Sequence, residues 1–342
     1  MNAPARFFAV LTTCLALLPT STHAAKLQIY QVLTPVTDQS ETTRLNGLRT
    51  ALGTVLVRVT GNGRADAQAE TQPILNRAAT LAQGFGFEKV AGQLHLRAVF
   101  DAAAVEAAIR EAGLPIWSAH RPDHVLWVAF EDGSAQPISR SDSVRVQALL
   151  DAADRRGLSL VLPHGDDADR AALTFDALWR GLPQPIFAAS QRYGAEKALA
   201  VRVYREGRGW AAHWWLISAG GLQQEWISGA DRIETALDQG VQRLADDLAH
   251  QFAVRAGGTA RELRIAVSDI RSLAAYGRTL NFLKNLSLMK SVTVERAEGK
   301  TVIFRLQTDS EEGSVARVLA ADGPLRETGD TFGGARGFRY VP

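Results

Sequence analysis

Residues 198–228 read ALAVRVYREGRGWAAHWWLISAGGLQQEWIS, and the fold follows from how this stretch is parsed. Three runs rich in β-branched and aromatic residues, Ala198 to Arg205, Trp210 to Ser218 and Leu222 to Ser228, are separated by the glycine pairs around Gly207-Arg208 and Gly220-Gly221. Alternating apolar runs joined by two-residue glycine turns predict an antiparallel meander. With turns at those glycines, Leu199, Val201, Val203, Trp214, Leu216, Glu225 and Ile227 share one face. The opposite face then brings Trp215 across from Trp226 and Arg202 across from His213. An aromatic pair beside a cation has the composition of a recognition patch, so Trp215, Trp226, Arg202 and His213 are the candidate partner-binding residues.

Outward from the meander, Val125 to Phe130 reads as a buried strand and Leu158 to Leu162 as a short one. Helices are predicted before Gly157, around Ala171 to Trp179 and Ile186 to Tyr193, and after Asp231. In the last, Leu237, Val241, Leu244, Leu248 and Phe252 form one stripe, and Asp231 and Glu234 have capping-box spacing. Residues 125–257 are therefore expected to form a central mixed sheet with helices packed on it, an α+β arrangement. Residues 25–114 and 258–325 each follow the order strand, helix, strand, strand, helix, so two small βαββα units flank the sheet. In the first, Leu27 to Val36 reads as extended, and Leu45, Leu48, Leu52, Val55, Leu56 and Val59 recur at helical spacing until Gly61 stops them. A further helix is expected from about Ile74 to Ala82, and after the hairpin of Phe85 to Val90 and Leu94 to Phe100, Asp101 caps the last helix. Residues 115–124 are the linker, with Trp117 expected to anchor it on a neighbouring domain and Pro122 to hold Arg121 extended. The glycine-rich segment 326–342 shows no periodicity and is expected to be poorly ordered.

The 342 residues include 38 Lys plus Arg against 36 Asp plus Glu, too even a balance for unspecific nucleic-acid binding. Met1 to Ala24 carries Arg6, an apolar stretch from Phe7 to Leu18, Pro19, and the small residues Thr22 and Ala24. This is the pattern of a secretory signal peptide cleaved after Ala24; its 12-residue apolar stretch is shorter than the roughly 20 residues a membrane-spanning helix needs, and no later run approaches that length. The only cysteine, Cys14, would leave with that leader, so neither thiol chemistry nor a cysteine metal site is expected after cleavage. Leu11-Thr12-Thr13-Cys14 faintly resembles a lipoprotein box, the alternative that would lipidate Cys14.

The run Val36-Thr37-Asp38-Gln39-Ser40, the helix end Val57-Arg58-Val59-Thr60-Gly61, Val99-Phe100-Asp101, Gly113-Leu114-Pro115-Ile116-Trp117 and Arg121-Pro122 together resemble the proteobacterial family called domain of unknown function 2066 (DUF2066). That resemblance implies an exported protein of the Gram-negative envelope with no assigned activity, and it supplies no catalytic residues. In element order the middle block is also similar to sheet modules of envelope assembly proteins, such as the curli secretion lipoprotein, the Tol translocation protein and penicillin-binding-protein activators; this is a fold analogy only.

Candidate chemistry is sparse. No Gly-x-Ser-x-Gly elbow is present, and His95, His120, His124, His164, His213 and His250 form no His-Glu-x-x-His pair. Gly61-Asn62-Gly63 and Gly333-Gly334 read as turns. The string Pro163-His164-Gly165-Asp166-Asp167-Ala168-Asp169 is the most site-like, since an oxygen-rich loop can hold a divalent cation. Its carboxylates are better explained as a helix start, with Asp169 as the cap. The expected function is a periplasmic, non-catalytic protein-binding or assembly module without a cofactor. The competing readings are a metal-assisted hydrolase using Asp166, Asp167 and Asp169, and a binder of a small ligand in a cleft between domains.

Overall fold

The computed structural model describes residues 28–118, 121–131, 138–139, 144, 146–255, 260–284, 286, 288–321 and 323–341, so the expected leader and Cys14 lie outside the described residues. The first extended run forms β1 (Gln31–Pro35). The Ser40 side chain accepts the Thr43 backbone N–H and starts α1 (Glu41–Thr60), and Gly61 ends it at φ 73° by donating to the Val57 carbonyl. Leu48, Leu52, Val55, Leu56 and Val59 of the expected stripe are buried, and only Leu45 at its start stays exposed. The single helix expected over 74–82 is instead two turns, α2 (Gln72–Leu75) and α3 (Ala78–Leu81). Arg49 holds the break by donating to Asn76 Oδ1 and Gln72 Oε1. After β2 (Ala82–Val90) and β3 (Gln93–Phe100), Asp101 caps α4 (Ala102–Glu111) as expected. The strand order is β1-β3-β2, all antiparallel.

The central module begins after β4 (Pro115–Ile116) with β5 (His124–Phe130), in which every residue is buried. There follow α5 (Gln147–Arg156), β6 (Leu160–Val161), and three short helices, α6 (Asp167–Ala172), α7 (Phe175–Trp179) and α8 (Pro183–Ser190). The meander is β7 (Lys197–Glu206), β8 (Gly209–Ser218) and β9 (Gly221–Ala230), closed by α9 (Ile233–Phe252). The sheet order is β6-β5-β7-β8-β9, parallel through β7 and antiparallel beyond it, which is the mixed sheet expected. Because strand side chains alternate between faces, β5 feeds two cores. Leu126, Val128 and Phe130 pack with α5 and α9, whereas Val125, Trp127 and Ala129 pack with Leu178 of α7 and with Ile186 and Ala189 of α8. The expected α9 stripe is buried throughout. Its expected capping box does not form, since Arg232 takes the cap position without a side-chain bond and the helix starts after Asp231. Gly240 is required there, because a Cβ would lie 2.2 Å from the Trp214 ring.

The chain then passes through β10 (Val254–Arg255), which pairs with β4, into β11 (Arg261–Ser268), α10 (Leu273–Lys284), β12 (Ser291–Glu298), β13 (Thr301–Thr308) and α11 (Glu312–Ala321). Their connectivity and antiparallel order, β11-β13-β12, match those of the first unit. The expectation of a poorly ordered tail is overturned. Residues 325–340 form the hairpin β14 (Leu325–Phe332) and β15 (Ala335–Tyr340), and β15 lies parallel to β11. Leu325, Phe338 and Tyr340 are buried, and Gly329, Gly333 and Gly334 take positive φ at the bulge and the turn. The glycines serve turn geometry, which composition alone does not separate from disorder.

Three arginines join the first unit to the central module. Arg58 on α1 donates to Asp154 Oδ2 at 2.7 Å and to the Gln31 carbonyl at 2.8 Å. Arg121 lies over the Trp117 ring at 3.7 Å and donates to the Gly157 carbonyl at 2.6 Å and to the Arg58 carbonyl. Arg156 donates to the Gly61 carbonyl at 2.8 Å and to Asp246 at 2.6 Å. Trp117 does anchor the linker: it is buried in the central core, and its backbone N–H donates to the Val59 carbonyl at 2.6 Å. Replacing Arg58 with Met should cost about 1–3 kcal/mol of folding stability through the carbonyls left unpaired, read as a drop in denaturant midpoint. Close to this junction His124 is buried, and desolvation first and Lys197 second push its pKa down to about 3. Its ring is therefore neutral in the fold, while the unfolded chain takes a proton near pH 6.5. Stability should fall as pH drops from about 6.5 towards 3, at no more than about 1.4 kcal/mol per pH unit. Thermal melts across that window should show a shallower slope for His124→Phe.

Candidate functional site

The register of the meander decides which side chains meet. At the first turn Glu206 pairs with Gly209, and Arg202 pairs with His213 as expected. At the second, the loop is Ala219-Gly220, with Ser218 opposite Gly221 and Ile217 opposite Leu222. A bulge between Leu216 and Ile217 then shifts the ladder, so that Trp215 faces Glu225 and Trp214 faces Trp226. Relative to the expected pairing this is a slip of one residue, and one residue moves every side chain beyond it to the other face.

The expected pairing of Trp215 with Trp226 on one face is thereby corrected. Trp226 lies on the α9 side, stacked on Trp214 with ring centroids 5.8 Å apart, and is buried. Trp215 is buried on the α7–α8 side. Ile227, expected in the core, is 57% exposed, and Glu225, expected on the core face, stands beside Trp215 and His213. Trp215→Ala and Trp226→Ala should each cost about 3–5 kcal/mol of stability as core truncations, measured by thermal or urea unfolding.

On the α7–α8 side a polar chain crosses three strands. Arg202 Nη2 lies 3.1 Å from His213 Nδ1, and His213 Nε2 lies 2.6 Å from Glu225 Oε1. A guanidinium only donates, so Nδ1 accepts, the ring is neutral, and its single proton sits on Nε2 and is given to Glu225. Trp215 Nε1 donates to the same Oε1 at 3.0 Å, and the His213 ring stacks on Trp215 at 4.4 Å. Arg202 Nη1 donates to the Trp179 carbonyl at 3.1 Å. Both ring nitrogens of His213 are engaged, so the arrangement fixes the Glu225 carboxylate in place instead of offering a base to a substrate. Sequence reasoning found Arg202 and His213 and missed Glu225, whose face depends on the bulge.

The acidic loop is a capped helix start, with the cap reassigned. Asp166, not Asp169, caps α6 by accepting the Asp169 N–H at 3.0 Å. Asp169 is buried and accepts from Gly165 N at 2.7 Å, Tyr193 Oη at 2.6 Å and Arg192 Nη1 at 2.8 Å. Asp167 points outward to Arg170. The three carboxylates diverge towards separate partners, and among the described residues no group of three His, Cys, Asp or Glu side chains is arranged to hold a metal ion. Burial, reinforced by the Asp169 bond, pushes the Tyr193 phenol up to about 12. Arg192 and the Asp169 N–H hold the Asp166 carboxyl well below the usual carboxylate range. Asp169→Ala, which strands donors inside the loop, should cost about 1–3 kcal/mol and should lower the melting temperature more than loss of the exposed Asp166 cap does.

The open edge of the central sheet lies along β9. No strand among the described residues pairs with its outer edge, and Leu222 at 43% and Ile227 at 57% exposure stand on the α7–α8 side of it. On the other side, two clefts of about 510 and 420 Å³ follow the strand against α9 and meet at Gln224 and Gln251. One is lined by Glu225, Trp226, Arg243, Asp247 and His250, and the other runs to Lys197 and to Arg326 on β14 of the third unit.

Residues 24–118 match a domain of unknown function (DUF8605), a span that takes in the first βαββα unit and ends next to the buried Trp117. No curated protein and no solved structure matches the chain.

Proposed function

We propose that this chain is an exported, non-catalytic protein-binding module of the Gram-negative envelope, related to the proteobacterial DUF2066 family and working in the periplasm. The observation that carries the binding reading is β9, a ten-residue strand at the sheet edge with apolar side chains exposed beside it. An open edge presents unpaired backbone N–H and C=O groups, so a partner's extended segment can add to it with no reactive side chain involved. The N-terminal leader, read from Arg6, the Phe7 to Leu18 stretch and Thr22-His23-Ala24, supports export.

Two measurements test this. Protein recovered from envelopes should begin at Ala25 by mass spectrometry; a lipid-bearing species beginning at Cys14 would put it on a membrane instead. A partner captured from envelope extracts by the wild-type protein should be lost, at least about tenfold, when Leu222 and Ile227 are both replaced by Asp with the melting temperature unchanged. Undiminished capture by that variant would remove β9 from the account.

A further inference from the structure

The surroundings of β9 restrict what can pair with it. Ile217, Trp215 and His213 of β8 face the α7–α8 side, so their partners Leu222, Glu225 and Ile227 face that side too. Glu225 is the only charged residue in the ten of β9. It is bracketed by two exposed apolar side chains, and its own side chain is 47% exposed. Both of its donors, His213 Nε2 and Trp215 Nε1, converge on Oε1, and Oε2 takes no bond among the described residues. Both donors are also neutral groups, since the His213 ring keeps Nδ1 as an acceptor for Arg202. The carboxylate therefore keeps its second oxygen, Oε2, open on the face next to the edge.

A second copy is a poor occupant. Directly opposed residues share a face, so the fullest antiparallel overlaps of β9 with itself set Glu225 against either Glu225 or Ile227. The first opposes like charges, and the second sets a carboxylate against an aliphatic side chain. We propose that β9 takes an extended segment of a different protein that places Lys or Arg opposite Glu225 and an apolar residue two positions away opposite Ile227. The inference rests on the strand-addition reading and adds a recognition rule to it: the edge supplies backbone bonds to any strand, and Glu225 selects a basic one.

The probe is an array of synthetic decapeptides of alternating Thr, with Lys, Arg, Gln or Glu at one position and Val, Thr or Asp two residues away. Binding of labelled full-length protein is compared with that of Glu225→Gln and Glu225→Lys. Glu225→Gln keeps an acceptor for His213 and Trp215, so it tests the charge even where Glu225→Lys fails to fold, and melts report folding for each. Wild type should prefer basic over acidic peptides by about tenfold or more, Glu225→Gln should bring that ratio to within about twofold, and Glu225→Lys should reverse it. Binding with equal preference for acidic and basic peptides, or a basic preference kept in Glu225→Gln, overturns the selection rule and leaves strand addition standing. Absence of binding to every peptide overturns strand addition itself.

Discussion

Two helices, α1 and α5, end facing one another, and the arginines between those ends set the arrangement of the first two units. Each helix stops at a left-handed glycine, Gly61 and Gly157, so each turns its last carbonyls and the negative end of its dipole towards the junction. Carbonyls brought together in this way repel unless cations come between them. Arg121 donates to the Gly157 and Arg58 carbonyls, Arg156 to that of Gly61, and Arg58 to that of Asp154. A planar guanidinium suits the task because one side chain reaches several acceptors in a fixed fork, which a lysine cannot do. Gly157 is constrained twice, by its φ of 68° and because a Cβ would lie 2.4 Å from Arg121 Nη1.

The junction sits away from β9 and leaves that edge of the central sheet unpaired among the described residues. The first unit docks on the α5 end of the central module, and the β4–β10 pairing brings the exit of the first unit and the entry of the third together at that sheet's margin. The α5–α9 layer covers one face and α7–α8 the other, with Gly240 admitting Trp214 beneath α9. The opposite edge, β6, is two residues long, a common way of blunting an edge, whereas β9 has ten. The edge of the third unit that corresponds to β1 is filled by β15. In the first unit the outer side of β1 meets Arg58 at the Gln31 carbonyl and ends in Pro35, which has no N–H to offer.

What the sequence made legible follows the range of each signal. The α1 and α9 stripes, the Asp101 cap and the Gly61 and Gly157 stops are local, and each is found where spacing places it. The β8–β9 register was not legible, because Ala219-Gly220 and Gly220-Gly221 are equally plausible two-residue turns and the bulge after Leu216 leaves no mark in composition. That ambiguity sent Trp226, Ile227 and Glu225 to the wrong faces together. Asp166 and Asp169 were separable only by the bonds each makes: the exposed one caps the helix, and the buried one ties Tyr193, Arg192 and Gly165 into the loop. In the last segment the alternation of Phe338 and Tyr340 was a strand signal outweighed by its glycines.

The register slip also changes the kind of recognition the face performs. With Trp215 opposite Trp226 the face would have offered aromatic area, the currency of pocket-filling hot spots. With Trp215 opposite Glu225 the tryptophan is buried and acts from below, donating to the carboxylate and supporting the His213 ring that donates beside it. Arg202 completes the chain at the far side of that ring, where it fixes the tautomer without neutralising Glu225 directly. A carboxylate held by two donors on one oxygen keeps its position and leaves the other oxygen open. The aromatic residues that first draw attention thus serve the one acidic residue on the edge, and specificity at β9 passes from shape to sign.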